Sequence, residues 1–251
     1  MFSPPLEPSF KRRLRAGFTL VEIAIVLVII GLLVGGVLVG ADLIKVAQIR
    51  RAVSNLERIS ASTNAFRTKY DCIPGDCATA TTYFGSTYVF AGWGCSGNGD
   101  GNGLIDQWPC ESVQALAGLM TSGLIALTPL PNPGAGTGTS IGNLYFEGFN
   151  HSNQYFYFSD LYGQTNRIGN SVTMAIYDSG TWISGGALMP SQAEAIDKKI
   201  DDGYPLTGAF MGLSSSTAGT WPAGTCVTAG ANTYTTTPSL SMGCRGLYFL
   251  Q

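Results

Sequence analysis

The stretch GFTLVEIAIVLVIIGLLVGGVLVG, Gly17 to Gly40, decides how the rest of the chain is read. It is apolar almost throughout, follows a basic run (Lys11, Arg12, Arg13, Arg15) and carries a single acid, Glu22. A secretory signal has an apolar region of roughly 7 to 15 residues, and this run, extending to Ala41, is too long for one. About 20 residues span a bilayer. The plain reading is a single-pass anchor with its basic flank in the cytoplasm. That reading leaves Glu22 unexplained, because a carboxylate at the centre of a bilayer costs roughly 2.5 to 3.5 kcal/mol.

Charge is segregated along the 251 residues. The first 17 residues carry a net +3, residues 18–70 carry another +3, and residues 71–251 carry −8. A head of that sign is a poor nucleic-acid binder, so no nucleic-acid partner is expected. Charged residues make up only 12% of the chain and 33 residues are glycine, a balance that suits a loop-rich, strand-containing extracellular surface. All six cysteines, Cys72, Cys77, Cys95, Cys110, Cys226 and Cys244, follow residue 70, an even number that fits disulfides in an oxidising compartment. Zinc is the competing use, but there is no C-x-x-C and His151 is the only histidine. Catalysis has little footing: the phosphate-cradling G-x-x-x-x-G-K-[ST] is missing and a single histidine is present, so the chain is not expected to be an enzyme.

Arg15-Ala16-Gly17-Phe18-Thr19-Leu20-Val21-Glu22 resembles the type IV prepilin signature shared by type IV pilins and type II secretion pseudopilins. The resemblance implies that a membrane-embedded prepilin peptidase cuts after Gly17 and methylates the new amine of Phe18. It also implies that Glu22 pairs with the amine of an adjacent subunit and sets register during assembly. Chemistry independently calls for a partner, since a cationic amine at the edge of an apolar helix is costly unless an acid neutralises it, and it leaves open whether that acid belongs to the same chain or to a neighbour. The domains expected are a leader at 1–17, a membrane or filament-core helix at 18–41, an amphipathic helix at 42–70 and a globular head at 71–251.

Val46, Ile49, Val53, Leu56, Ile59, Thr63, Phe66 and Tyr70 recur at three- and four-residue steps, the pattern of a helix with one buried face. A continuous helix from Phe18 to Tyr70 is about 80 Å long. Gly31, Gly35, Gly36 and Gly40 lie in its apolar half. Two readings stay open for them: close packing between helices, or a stretch that unwinds when subunits leave the bilayer.

Cys72-Ile73-Pro74-Gly75-Asp76-Cys77 ends the helix in a Pro-Gly turn. Cys72 with Cys77 would close that turn, Cys95 with Cys110 the next loop and Cys226 with Cys244 a last one, though spacing alone does not fix the connectivity. Asn98-Gly99-Asp100-Gly101-Asn102-Gly103-Leu104-Ile105-Asp106 follows the first nine positions of an EF-hand-like calcium loop. Its ligands would be Asn98, Asp100, Asn102, the Leu104 carbonyl and Asp106. The twelfth position is Pro109 rather than glutamate, and Glu111 could serve only by reaching in. A glycine-rich turn whose Asn and Asp side chains bond their own backbone is the alternative. No cofactor is required, and calcium is the one ion the sequence suggests.

Further along, Glu111 to Met120 reads as a short helix before Gly123, and Thr128 to Gly142 as a loop. Gln154 to Phe158 and Ser171 to Tyr177 read as strands. Ser191-Gln192-Ala193-Glu194 reads as a capping box opening a helix from about residue 192 to Asp201, with Gly203 as a cap on a solvated end. Ser239 to Gln251 supplies a closing strand.

Together these give an α+β, pilin-like fold: a long N-terminal helix whose second half packs on an antiparallel sheet in a disulfide-bearing head. The expected function is a structural subunit of an extracellular type IV pilus, anchored first in the bacterial inner membrane and passed to an assembly platform there. A type II secretion pseudopilin and a minor, adhesin-like pilin are the alternatives. Besides prepilin peptidase and the platform, the expected partner is the chain itself.

Overall fold

The computed structural model describes residues 18–85, 97–106, 110–125, 144–145, 154–159, 169–178, 181–214, 226–228, 231–235 and 243–250. The chain divides into two compact units, one ending at Lys45 and the other beginning at Val46. Helix α1 runs from Leu20 to Tyr70 without a break, so Gly31 to Gly40 is helical in the single chain. Each of these four glycines costs roughly 1 kcal/mol of propensity, and a Cβ on any of them would meet nothing within 4 Å.

Within the second unit, α1 buries Ala52, Leu56, Ile59, Ser62, Thr63 and Phe66. This is the expected stripe with its edge shifted. Val46 is exposed and Val53 and Ile49 are half-buried, while Ala52 and Ser62, too small or polar to stand out in a periodicity, lie inside. Leu56, Ile59 and Phe66 are each worth about 1.5 to 3 kcal/mol by burial. They share one cluster with Val172, Met174, Leu188, Ile196 and Phe210, which joins the helix to the sheet. Ser62 is satisfied there, its Oγ donating to the carbonyls of Arg58 (2.8 Å) and Leu124 (3.2 Å). Thr63 is not: its Oγ1 is buried with no hydrogen-bond partner among the described residues. Replacing an unsatisfied hydroxyl by an isosteric methyl removes a desolvation cost. Thr63→Val is therefore expected to raise unfolding stability by about 1 kcal/mol, read as a higher urea midpoint at unchanged slope.

The helix stops at Asp71, whose φ of 54° is left-handed and whose N–H donates to the Arg67 carbonyl at 2.9 Å. A disulfide between Cys72 and Cys77 closes the turn that follows. Helices α2 (Ala80–Phe84) and α3 (Cys110–Thr121) come next. Helix α3 buries Ala115, Leu116 and Leu119 and ends at Thr121, with Gly123, φ 73°, in the turn that follows. Cys110 is disulfide-bonded, whereas Cys95, its expected partner, lies outside the described residues. So does the expected loop at 128–142.

A six-stranded antiparallel sheet follows: β1 (Leu144–Tyr145), β2 (Gln154–Ser159), β3 (Ser171–Asp178), β4 (Thr181–Gly186), β5 (Phe210–Ser214) and β6 (Cys244–Phe249). Its order is β1-β2-β3-β6-β5, with β4 also pairing β3. Ser171 to Met174 of β3 pair with β6, while Ala175 to Asp178 pair with β4. The C-terminal strand is thus an interior one, and Cys244 at its start is bonded to Cys226. Long helix, antiparallel sheet and disulfides together make the α+β, pilin-like arrangement that the sequence leads one to expect.

Helix α4 corrects two expectations. It spans Pro190–Ile200, not 192–201. Pro190 takes a first-turn position, where its fixed φ fits and its missing N–H costs nothing, so the cap falls on Met189 rather than Ser191. The Met189 N–H donates to Gln192 Oε1 at 2.9 Å. Glu194, assigned to a capping box by spacing, instead accepts from Lys198 Nζ at 2.6 Å.

Candidate functional site

At the N-terminal end of α1, Thr19 and Glu22 hold each other. Glu22 Oε2 accepts from the Thr19 N–H and from its hydroxyl, both at 2.8 Å, and the Glu22 N–H donates to Thr19 Oγ1 at 3.3 Å. This is a reciprocal capping box, which satisfies donors that a helix start would otherwise leave bare. The T-x-x-E spacing that signals it is plain in the sequence, but the apolar surroundings of Glu22 draw attention to its charge and away from its position. Glu22 Oε1 has no partner among the described residues, so one carboxylate oxygen remains available. Phe18 precedes the box with 82% of its surface exposed. Gly17 and the leader lie outside the described residues.

From Phe18 to Val46 every large apolar side chain of α1 is exposed. A helix apolar on all sides needs hydrocarbon or other helices around it, and α1 is long and apolar enough to cross a membrane. The geometry therefore presents a capped helix start, an uncommitted carboxylate oxygen and an unclad apolar shaft in one segment.

The proposed calcium ligands fall in a loop that folds around acids lying outside their set. Asp76, nearly fully buried, accepts the N–H groups of Gly101 (2.7 Å) and Asn102 (3.1 Å) on Oδ1 and of Gly103 (2.7 Å) on Oδ2. Glu111, fully buried at the start of α3, accepts the N–H groups of Asp100 (3.1 Å) and Asp106 (2.9 Å). Asn98 Oδ1 accepts from Thr81 N, Asp100 Oδ1 from Asn102 N, and Asn102 Oδ1 from Leu104 N. Asn102 Nδ2 donates to both Asp100 and Asp106. Asn98, Asp100 and Asn102 thus bond backbone N–H groups, the arrangement of an Asx-rich turn. Carboxylate oxygens of Asp76, Asp100 and Glu111 lie within 4.8 Å of one another. Burial pushes the Asp76 carboxyl up, the Gly103 and Gly101 N–H groups hold it down, and Asp100 beside it raises it again. Gly99 completes the fit, because a Cβ there would stand 2.4 Å from the Asp76 backbone.

A second acidic group closes α4. The expected solvated helix end is in fact partly internal: Asp197 is fully buried, accepting the Tyr234 hydroxyl at 2.7 Å and the Gly203 N–H at 3.1 Å. Tyr234 lies far along the chain, and no local spacing announces that pairing. Gly203 has φ 79°, but Asp201 is the capping residue. Burial pushes the Asp197 carboxyl up from 3.8 to about 6, against the Tyr234 and Gly203 hydrogen bonds. A carboxyl raised on folding stabilises the head fully below its unfolded value and loses that contribution as pH rises through about 6. The loss between pH 4 and pH 8 is expected to be at most about 3 kcal/mol. Thermal unfolding at the two pH values checks it, with Asp197→Asn flattening the difference.

Comparison with known families matches residues 12–38 to the family described as Prokaryotic N-terminal methylation motif. This is the type IV pilin and pseudopilin signature, and the chain carries it. The match takes in the end of the leader and the start of α1, including Gly17, Phe18 and Glu22, and stops before the head. Neither curated proteins nor solved structures give a match to the chain.

Proposed function

We propose that this protein is a structural subunit of an extracellular type IV pilus, made as a single-pass inner-membrane precursor and cleaved by prepilin peptidase after Gly17. Phe18 then becomes the N-methylated terminus, and the assembly platform draws the chain into a fibre of its own copies. The observation that carries this is the methylation motif set on a continuous helix whose large apolar side chains are uncovered from Leu20 to Val46. In a filament, neighbouring helices supply the cover that the isolated chain lacks. Glu22 contributes through Oε1, which accepts a neighbour's Phe18 ammonium while Oε2 keeps the helix capped. The role is structural rather than catalytic.

Mass spectrometry of sheared surface filaments tests the whole reading. The expected result is an abundant chain beginning at methylated Phe18. A mature terminus elsewhere overturns the processing claim, and absence from surface fibres despite correct processing moves the assignment to a type II secretion pseudopilin. No cofactor enters the proposal. Calcium at 98–106 is settled by calorimetric titration of the full chain, where no heat at about millimolar calcium removes it.

A further inference from the structure

An open cleft of about 780 Å³ lies where the C-terminal end of α1 meets the Cys72–Cys77 turn and α2. Its volume is that of a small-molecule site. Along one wall stand Asn64 and Arg67, one turn apart on the last turns of α1, and Asp71 just past its end. All three are exposed, and among the described residues none of their side chains forms a hydrogen bond or ion pair, not even Arg67 with Asp71 one turn away. Asp71 is the one described non-glycine residue with positive φ. Glycine or asparagine usually fills that position after a helix, and what aspartate adds is a carboxylate in the cleft.

The other wall is aromatic. The rings of Tyr70 and Tyr83 lie 5.2 Å apart, and Phe66 (4.6 Å) and Phe84 (5.0 Å) back Tyr70 from the core side. Lys69 Nζ already sits 5.0 Å from the centre of the Tyr70 ring, so Tyr83, 52% exposed, is the ring presented to a ligand. Tyrosine supplies rigid, amphipathic contact area at low entropic cost.

Uncommitted planar groups of both hydrogen-bonding senses beside an exposed ring match one chemistry. Vicinal hydroxyls can bridge an amide, a guanidinium or a carboxylate, while the C–H face of a pyranose lies against tyrosine. Arg67 and Asp71 cancel in charge, and residues 71–251 carry −8, which disfavours an anionic sugar. We infer that this cleft binds a short neutral oligosaccharide. The site belongs to the head and stands whichever filament system the chain serves.

The test uses the full chain in a detergent without a sugar headgroup, with saturation-transfer NMR against maltotriose, cellotriose, triacetylchitotriose and sialyllactose. At least one neutral trisaccharide is expected to bind with Kd near about 1 mM or tighter. Tyr83→Ala, Arg67→Ala and Asn64→Ala should each weaken it about tenfold, and Tyr83→Phe by less than about twofold. Arg67 and Asn64 are exposed, so their variants remain informative if Tyr83→Ala perturbs α2. Four results overturn the inference: no transfer from any neutral sugar at about 10 mM, binding that these substitutions leave unchanged, stronger binding of sialyllactose, or altered self-association without sugar binding. The last result would mark the cleft as a contact for a second copy.

Discussion

Glu22→Gln is expected to leave cleavage after Gly17 and the start of α1 intact while reducing incorporation into fibres to near background. Glutamine at the third helical position can still accept the Thr19 N–H, as glutamate does at 2.8 Å. The cap therefore survives and only the charge is lost. If Oε1 answers a neighbour's ammonium, removing that charge leaves a cation facing a low-dielectric helix bundle, and breaking such a pair costs about 3 to 5 kcal/mol. Repeated at every subunit contact, this is enough to stop growth. Thr19→Ala makes the complementary change, removing the hydroxyl half of the cap at about 1 kcal/mol while keeping the charge, and should still assemble. Immunoblots of membrane and sheared-fibre fractions read both variants. Normal fibres from Glu22→Gln would reduce Glu22 to a helix cap.

Phe66→Ala should have the largest effect on the head itself. The Phe66 side chain is fully buried and contacts Tyr70 at 4.6 Å and Phe84 at 5.9 Å between ring centres, so it ties α1 to α2 and to the main cluster. Truncation there is expected to cost about 3 to 5 kcal/mol out of a total that is typically about 5 to 15. Urea unfolding of the full chain in detergent, followed by near-ultraviolet dichroism of the aromatic residues, measures it. Phe66→Leu, which keeps most of the volume, should lose clearly less than alanine. Equal losses from the two variants would mean that the ring packs loosely.

What was legible in the sequence follows from range. Leader, apolar run and stripe are written at spacings of one to four residues, so α1 reads almost to the residue, and Cys72–Cys77 and Cys226–Cys244 each close a local segment. The pair Asp197–Tyr234 spans 37 positions and has no local mark. Asp76 was read as part of a turn, yet it organises residues 101–103 because tertiary folding carries the loop to it. Strand β5 lies in FMGLS, where Gly212 admits the Tyr234 ring, so its apolar alternation is interrupted by a packing need that only the fold reveals.

The place of β6 sets a timetable for folding. Cys244–Phe249 follows the other described strands in the chain, yet among them it is the one that joins β3 to β5, and it carries half of the Cys226–Cys244 bond. Until those residues dock, β3 and β5 keep open edges and the Cys226–Cys244 bond cannot form. The sheet therefore closes only when β6 docks, which keeps a subunit without it pliable and makes loss of Cys244–Phe249 far more damaging than the length of that segment suggests.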